Sequence, residues 1–280
     1  MSLFQPRRYR LGQDPLAAAS DGASGYSVVP IDRLKLAGSI GADILARRKS
    51  VTGFATTTSR RLAVVIPYRN RHRQLTSLLP RLSAALERQN IDYRIMVVEQ
   101  TAGKLFNRGK LKNIGASLAG SWADYYCFHD VDNLPQNTDY GCPTQPMRLV
   151  KRYSHTRRKD NPVRGYFFGA VIAMRKDQFL AINGYDNEYW GWGAEDEDLF
   201  LRCLLAGLVP HEYQQGVFWE LSNPPEEHHD RSSLVRRRNR YRMKRAMREG
   251  RIGETGLKDL EFKLVSQRHQ ERVIHAVVDV

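Results

Sequence analysis

Ten residues from Tyr189 to Asp198, YWGWGAEDED, bring together two tryptophans, two glycines and four carboxylates. Upstream, HDVD from His129 to Asp132 forms a second acidic cluster at the end of an apolar run. Carboxylate oxygens favour hard divalent ions such as Mn2+ or Mg2+. One cluster suited to hold a cation and another beside aromatic sugar platforms suggest metal-assisted transfer of a sugar. Such a reaction needs one base to take the acceptor hydroxyl proton during in-line attack on the anomeric carbon. It also needs positive charge to stabilise a departing diphosphate.

The two clusters cannot use every carboxylate for chemistry. Asp130 and Asp132 alternate along an extended segment, so one can ligate a cation while the other supports it or reaches the sugar or ribose. Carboxylates at a helix N-terminus are favoured by the helix dipole, which accounts for two or more of Glu195, Asp196, Glu197 and Asp198. Trp190 reads as core packing, whereas Gly191 and Gly193 give the backbone around Trp192 freedom to move. Further along, EEHHD from Glu226 to Asp230 offers imidazoles and carboxylates that suit Mn2+. The basic side chains in PYRNR (67–71) and FNRGKLKN (106–113) divide: arginine forks pair with phosphate oxygens, while Lys110 and Lys112 read as solvated helix charges.

These residues must be positioned by regular elements. The continuous apolar run at 62–66 reads as a strand buried on both faces and stopped by Pro67. Residues 75–89 carry Leu78, Leu79, Leu82, Ala85 and Leu86 at helical spacing. A strand at 93–98, a helix at 110–119 and a strand at 125–128 follow. This alternation argues for a largely parallel α/β sheet flanked by helices. In such sheets ligands bind beyond the carboxyl ends of strands, where both the Pro67 and the Asp130 motifs fall. A strand at 166–174, a helix at 175–183 closed by Gly184, a helix at 195–205, and small strands after Gly207 and at 273–280 complete the pattern. Residues 1–60 read as an irregular N-terminal arm with one helix at 31–48, and 61–280 as the catalytic domain.

Composition narrows the class. An apolar fraction of 41% supports a globular core, and no run approaches the ~18 apolar residues of a membrane span. The N-terminus lacks the apolar segment of a secretory signal, so the expectation is a cytoplasmic enzyme of bacterial type. Cys127, Cys142 and Cys203 match no disulfide framework or zinc spacing. The net charge is +14, and residues 231–251 hold ten Lys/Arg against one Glu. That segment reads either as a solvated helix face or as a contact for an anionic membrane, which would make the enzyme peripheral to the inner membrane. No nucleic acid is expected, since no nucleic-acid module accompanies the charge.

The four motifs occur in the order PYRNR, FNRGKLKN, HDVDNLP and WGWGAEDED, and the chain from about 62 to 280 resembles the β-1,4-galactosyltransferase family. The resemblance implies a GT-A-type nucleotide-sugar-binding fold. It implies an inverting, metal-dependent transferase that moves galactose from UDP-galactose to a saccharide acceptor hydroxyl, with a β-1,4 linkage. Arg69, Arg71, Phe106, Arg108 and Asp130 then face the donor. Asp132 holds Mn2+ (or Mg2+), with His229, His228 and Glu227, in that order, as candidates for the remaining ligands. The segment departs from the family's histidine pattern at Glu227. Trp192 corresponds to the tryptophan that folds over the donor, Asp196 to the general base, and Glu195 to a residue holding the acceptor. Cys142 falls at a bridging position, but Cys127 is displaced from its partner's place, so no bridge is expected.

Departures from the family pattern bear on specificity. Phe167 stands where galactose-specific members have tyrosine, which makes UDP-N-acetylgalactosamine the alternative donor. Ala170 replaces a common glycine. The motifs around Asp130 and Asp139 look nearest the xylose-directed branch, leaving xylose, N-acetylglucosamine or a bacterial glycan as acceptor. A non-catalytic glycan- or membrane-binding homologue is the reading from another class, favoured by the altered histidine segment and opposed by Asp132, Trp192 and Asp196.

Overall fold

A computed structural model describes residues 8–10, 60–154, 168–221 and 232–280 of the chain. The helix expected at 31–48, Phe167, and Glu227, His228 and His229 lie outside the described residues. Nine strands form the main sheet, in the order β1-β11-β12-β3-β2-β4-β8-β6-β9. They are β1 (Arg8–Arg10), β2 (Arg61–Tyr68), β3 (Asp92–Gln100), β4 (Tyr125–His129), β6 (Met147–Arg148), β8 (Val171–Arg175), β9 (His211–Glu212), β11 (Glu261–Gln270) and β12 (Val273–Asp279). The central four, β12, β3, β2 and β4, run parallel, and antiparallel β11 and β8 flank them. A small second sheet joins β5 (Asn133–Asn137), β10 (Val217–Glu220) and β7 (Arg152–Tyr153). Because β1 pairs with β11, the N-terminal arm contributes an edge strand rather than remaining wholly irregular.

Alternation along β2 builds a core on each face of the sheet. Leu62, Val64 and Ile66 point to one side, against Leu75, Leu78, Leu82 and Leu86 of helix α1 (His72–Arg88). Ala63 and Val65 point to the other, against Leu111 and Ile114 of α2 (Arg108–Ala119). Both faces are dry, which is why the strand reads as an unbroken apolar run. Gly115 lets α2 approach β2 closely, since a Cβ there would collide with Val65. Pro67 does not end β2 as the sequence suggests. Pairing with β4 stops at Val65, and only β3 continues alongside to Tyr68, so a residue without an N–H is tolerated at the open side.

Three further α-helices, α3 (Lys176–Ala181), α4 (Glu195–Leu205) and α5 (Ser233–Glu249), and a 3-10 helix at Leu257–Asp259 complete the described fold. The basic segment is therefore a helix over most of its length, capped by the Ser232 side chain, with Asn239 its one buried residue. Among the described residues, no helix is long and apolar enough to cross a membrane. Cys127, Cys142 and Cys203 are all buried and free.

Candidate active site

An open cleft lies at the carboxyl ends of β2 and β4, lined by Pro67, Arg69, Arg71, Phe106, Arg108, Asp130, Val131, Asp132, Gly191 and Trp192. Seven of the sequence-selected residues thus meet in one place. On the β2 side, an Arg69 guanidinium N–H donates to the Lys104 carbonyl at 2.7 Å, and the group lies 5.0 Å from the Phe106 ring centre. This stacking presents a flat, cationic edge suited to a base and its phosphates. Arg71 is buried, with its guanidinium 3.9 Å from an Asp132 oxygen.

Asp130 and Asp132 sit in a turn after β4, not on an extended segment. The Asn133 N–H closes that turn on the Asp130 carbonyl at 3.3 Å. The turn is held from below by His129, which is buried with Nδ1 2.9 Å from the Asp130 carbonyl and Nε2 3.1 Å from the Tyr140 hydroxyl. Burial lowers the His129 pKa to about 4, so the ring is a neutral strut at ordinary pH. Asp132 accepts from the Asn133 side chain at 2.8 Å. Burial and then the Asp130 charge push its carboxyl up to about 6, against Arg108 and Arg71.

Helix α2 brings two cations to the acidic clusters. Its start is fixed by Asn107, whose side chain accepts from the Lys110 N–H at 2.9 Å and donates to the Asn187 carbonyl at 2.6 Å. Arg108 then donates to Glu195 at 3.0 Å and lies 3.9 Å from Asp130. Burial disfavours the Arg108 charge, but Asp130 and Glu195 outweigh it and hold the guanidinium protonated above its ordinary range. One turn later, Lys112 is only 1% exposed, with Nζ 3.8 Å from Asp130 and 3.8 Å from Asp196. Lys112 is therefore not a solvated helix charge. Residues four apart on a helix share a face, so its spacing from Arg108 was the signal available in the sequence.

The acidic cluster opens α4 and divides by role. Glu195 uses both oxygens, one for Arg108 and one for the Gly193 N–H at 3.1 Å. Asp198 is structural: it accepts from Arg202 Nε at 2.5 Å and from the Tyr189 hydroxyl at 3.2 Å. Glu197 is partly exposed. Asp196 is buried, and its Oδ1 has no hydrogen-bond partner. Burial and the Glu195 charge raise its pKa, against Lys112 and Arg108. Oδ1 of Asp130 is likewise buried without a hydrogen-bond partner.

Trp190 packs against the core, and Trp192, 38% exposed, stands at the lip of the cleft. The glycines beside Trp192 have φ of +76° and +103°, a conformation that suits glycine. The Gly191 N–H donates to the Phe106 carbonyl at 2.8 Å, joining this loop to the donor side. Helix α5 holds it from outside. Asn239 donates to the Trp190 and Trp192 carbonyls at 3.1 and 3.4 Å, and Arg236 lies 5.5 Å from the centre of the Trp192 ring. Sequence reasoning missed Asn239, a polar residue hidden within an arginine run.

The model for the N-terminal region of glycosyl transferase group 7 matches residues 48–143, and that for the N-terminal domain of galactosyltransferase matches 151–223. Human β-1,4-galactosyltransferase 4 is 37% identical over 237 residues, covering 78% of this chain and 63% of that protein. The chain belongs to the β-1,4-galactosyltransferase family. Human β-1,4-galactosyltransferase 1 is 41% identical to this family member over 152 residues, covering 53% of this chain and 38% of that protein. The chain thus spans less than two thirds of the length of these curated relatives. The catalytic domain of Drosophila β-1,4-galactosyltransferase 7, solved with xylobiose, shares the fold with a TM-score of 0.64 and 27% identity. That match covers 79% of this chain and 93% of the other. A mutant of the same Drosophila enzyme was solved with manganese, UDP-Gal and xylobiose.

Ala170 takes φ +66°, the left-handed region that favours glycine. Its carbonyl accepts from the Asp130 N–H at 2.9 Å, so that conformation helps set the acidic turn. Asp132 brings hard oxygen donors to the cleft, and a carboxyl raised by burial and a neighbouring charge is one that a divalent cation would satisfy. Among the described residues, no three His, Cys, Asp or Glu side chains gather as a metal site.

Proposed function

We propose that this family member is an inverting, metal-dependent glycosyltransferase that moves galactose from UDP-galactose to a saccharide hydroxyl, forming a β-1,4 linkage. The carrying observation is the convergence of Arg108, Asp130 and Asp132 with the Trp192 loop around one cleft, with the buried Asp196 joined to Asp130 through Lys112. Residues 61–280 form the catalytic unit in this reading. Arg69, Arg71 and Arg108 bind the diphosphate, Phe106 lies beside the base, and Asp130 reaches toward the ribose or sugar. Trp192 closes over the donor and excludes water that would otherwise hydrolyse it.

The acceptor oxygen attacks the anomeric carbon from the face opposite the diphosphate. The bond from that carbon to the diphosphate oxygen breaks, the hydroxyl proton passes to Asp196, and the configuration inverts. Glu195, gripped by Arg108 and the Gly193 N–H, borders the acceptor side. Asp132 with His229, His228 or Glu227 would hold Mn2+ or Mg2+, which when bound neutralises charge on the diphosphate. UDP-N-acetylgalactosamine is the alternative donor, on the strength of Phe167.

We also propose a cytoplasmic enzyme that touches an anionic membrane through α5. Its outer surface exposes Arg237, Arg240, Lys244 and Arg248 together with Leu234 and Tyr241, a mixture of cations and apolar anchors that suits an acidic lipid surface. Purified protein incubated with a panel of UDP-sugars and saccharide acceptors, with and without Mn2+, tests the central reading. Mn2+-dependent UDP release that is greatest with UDP-galactose supports it, and no release with any UDP-sugar refutes it.

A further inference from the structure

Lys112 is a buried cation to which the sequence motifs assign no role. It arises from the second turn of α2, and its Nζ stands 3.8 Å from a carboxylate oxygen of Asp130 and 3.8 Å from one of Asp196. Those are the Oδ1 atoms that lack hydrogen-bond partners. The ammonium also lies 4.8 Å from the centre of the Tyr185 ring, another fully buried group. Placing carboxylates together away from water is costly unless a countercharge is present. Arg108 supplies part of that charge but is drawn to Glu195 at 3.0 Å. Lys112 spans, beside Arg108, the gap between the donor-side turn and the acidic helix, and it is Lys112 that reaches Asp196.

We infer that Lys112 is a positioning residue of the transfer site, whose fixed ammonium lets Asp130 and Asp196 share one buried countercharge and keeps Asp196 available as a proton acceptor. The inference rests on the proposed transfer reaction for its catalytic meaning, and on the geometry alone for its electrostatic content. Asp196 is faced by Glu195 on its own helix, by Arg108 and Lys112 from α2, by Asp130 from the turn after β4, and by Tyr185. Of these, Lys112 and Arg108 favour the ionised carboxylate, while burial, Glu195 and Asp130 oppose it. Separations are long enough that Lys112 need not take the proton itself. It acts by charge, so an arginine at this position should substitute for it and an uncharged chain of similar size should not.

The test is the titration of Asp196 in metal-free, full-length protein carrying 13C-labelled aspartate, with its carboxyl signal identified by its loss in Asp196→Asn. Lys112→Met, or Lys112→Gln if the methionine variant does not fold, should raise the Asp196 midpoint by about one pH unit or more. Lys112→Arg should leave the midpoint near that of the wild type. The acidic limb of the UDP-galactose transfer rate should move upward in step with the signal. A loss of stability without a shift in midpoint would mean a purely structural lysine and would overturn the inference, as would a shift below about half a unit. A raised midpoint in a protein that transfers no sugar would leave the role of Lys112 standing and remove the transferase reading instead.

Discussion

Replacing Asp196 by asparagine changes one atom in a buried side chain whose Oδ1 meets no hydrogen bond. Burial, and then Glu195, lift the wild-type carboxyl to about 8, against the pull of Lys112 and Arg108. In the unfolded chain an aspartate titrates near ~3.9. Between those values the unfolded state loses its proton while the folded state keeps it, so Asp196 erodes stability as pH rises from about 4 to about 8. Asparagine does not titrate and escapes that loss. Each unit between the two midpoints is worth about 1.4 kcal/mol. The stability difference between variant and wild type should therefore move toward the variant by more than ~1.4 kcal/mol between about pH 4 and about pH 9. Titrating groups remote from Asp196 are common to both proteins and cancel in the difference. Transfer should move the opposite way, falling by ~10²–10⁴-fold with donor binding retained. Urea unfolding across that pH range and UDP release at fixed donor concentration measure the two effects. A variant that tracks wild-type stability at every pH would refute the buried-carboxylate argument. One that transfers at close to the wild-type rate would remove Asp196 from the chemistry.

Asp132→Ala should abolish the gain in UDP affinity that Mn2+ confers, measured by titration calorimetry with and without the ion; a retained gain would place the metal elsewhere. Asn239→Leu removes a buried donor from the Trp190 and Trp192 carbonyls, and urea unfolding should show a loss of about 1–3 kcal/mol. Phe167→Tyr restores the hydroxyl of the galactose-specific members and should raise the rate ratio of UDP-galactose to UDP-N-acetylgalactosamine. An unchanged or reversed ratio would separate Phe167 from donor choice.

The central layers were legible because their burial pattern is local. An unbroken apolar run marks β2 as a strand covered on both faces, and leucines at helical spacing mark α1. The order of strands and helices then implies where their carboxyl ends meet, which brought the Pro67 and Asp130 motifs to one cleft. Strand β11 was not legible: most of its residues are exposed, and a strand that contributes little to the core carries a weak apolar alternation. In the second sheet only β10, among the small strands expected after Gly207, was legible; its partners β5 and β7 are distant in sequence.

By itself, the sequence determined the alternating α/β plan, the acidic and aromatic motifs, and the family to which they belong, since each depends on residue type and near-neighbour spacing. Tertiary structure decided which of those charges meet. Lys112 looks like any helix-surface lysine until α2 is pressed against β2 and turned toward the turn after β4. Asp198 looks equivalent to Asp196 until Arg202 and Tyr189 claim it. Asn239 looks like an interruption in a solvated basic run until that helix lies across the Trp192 loop. Electrostatic roles depend on distance and burial in three dimensions, and neither quantity is written in the order of residues along the chain.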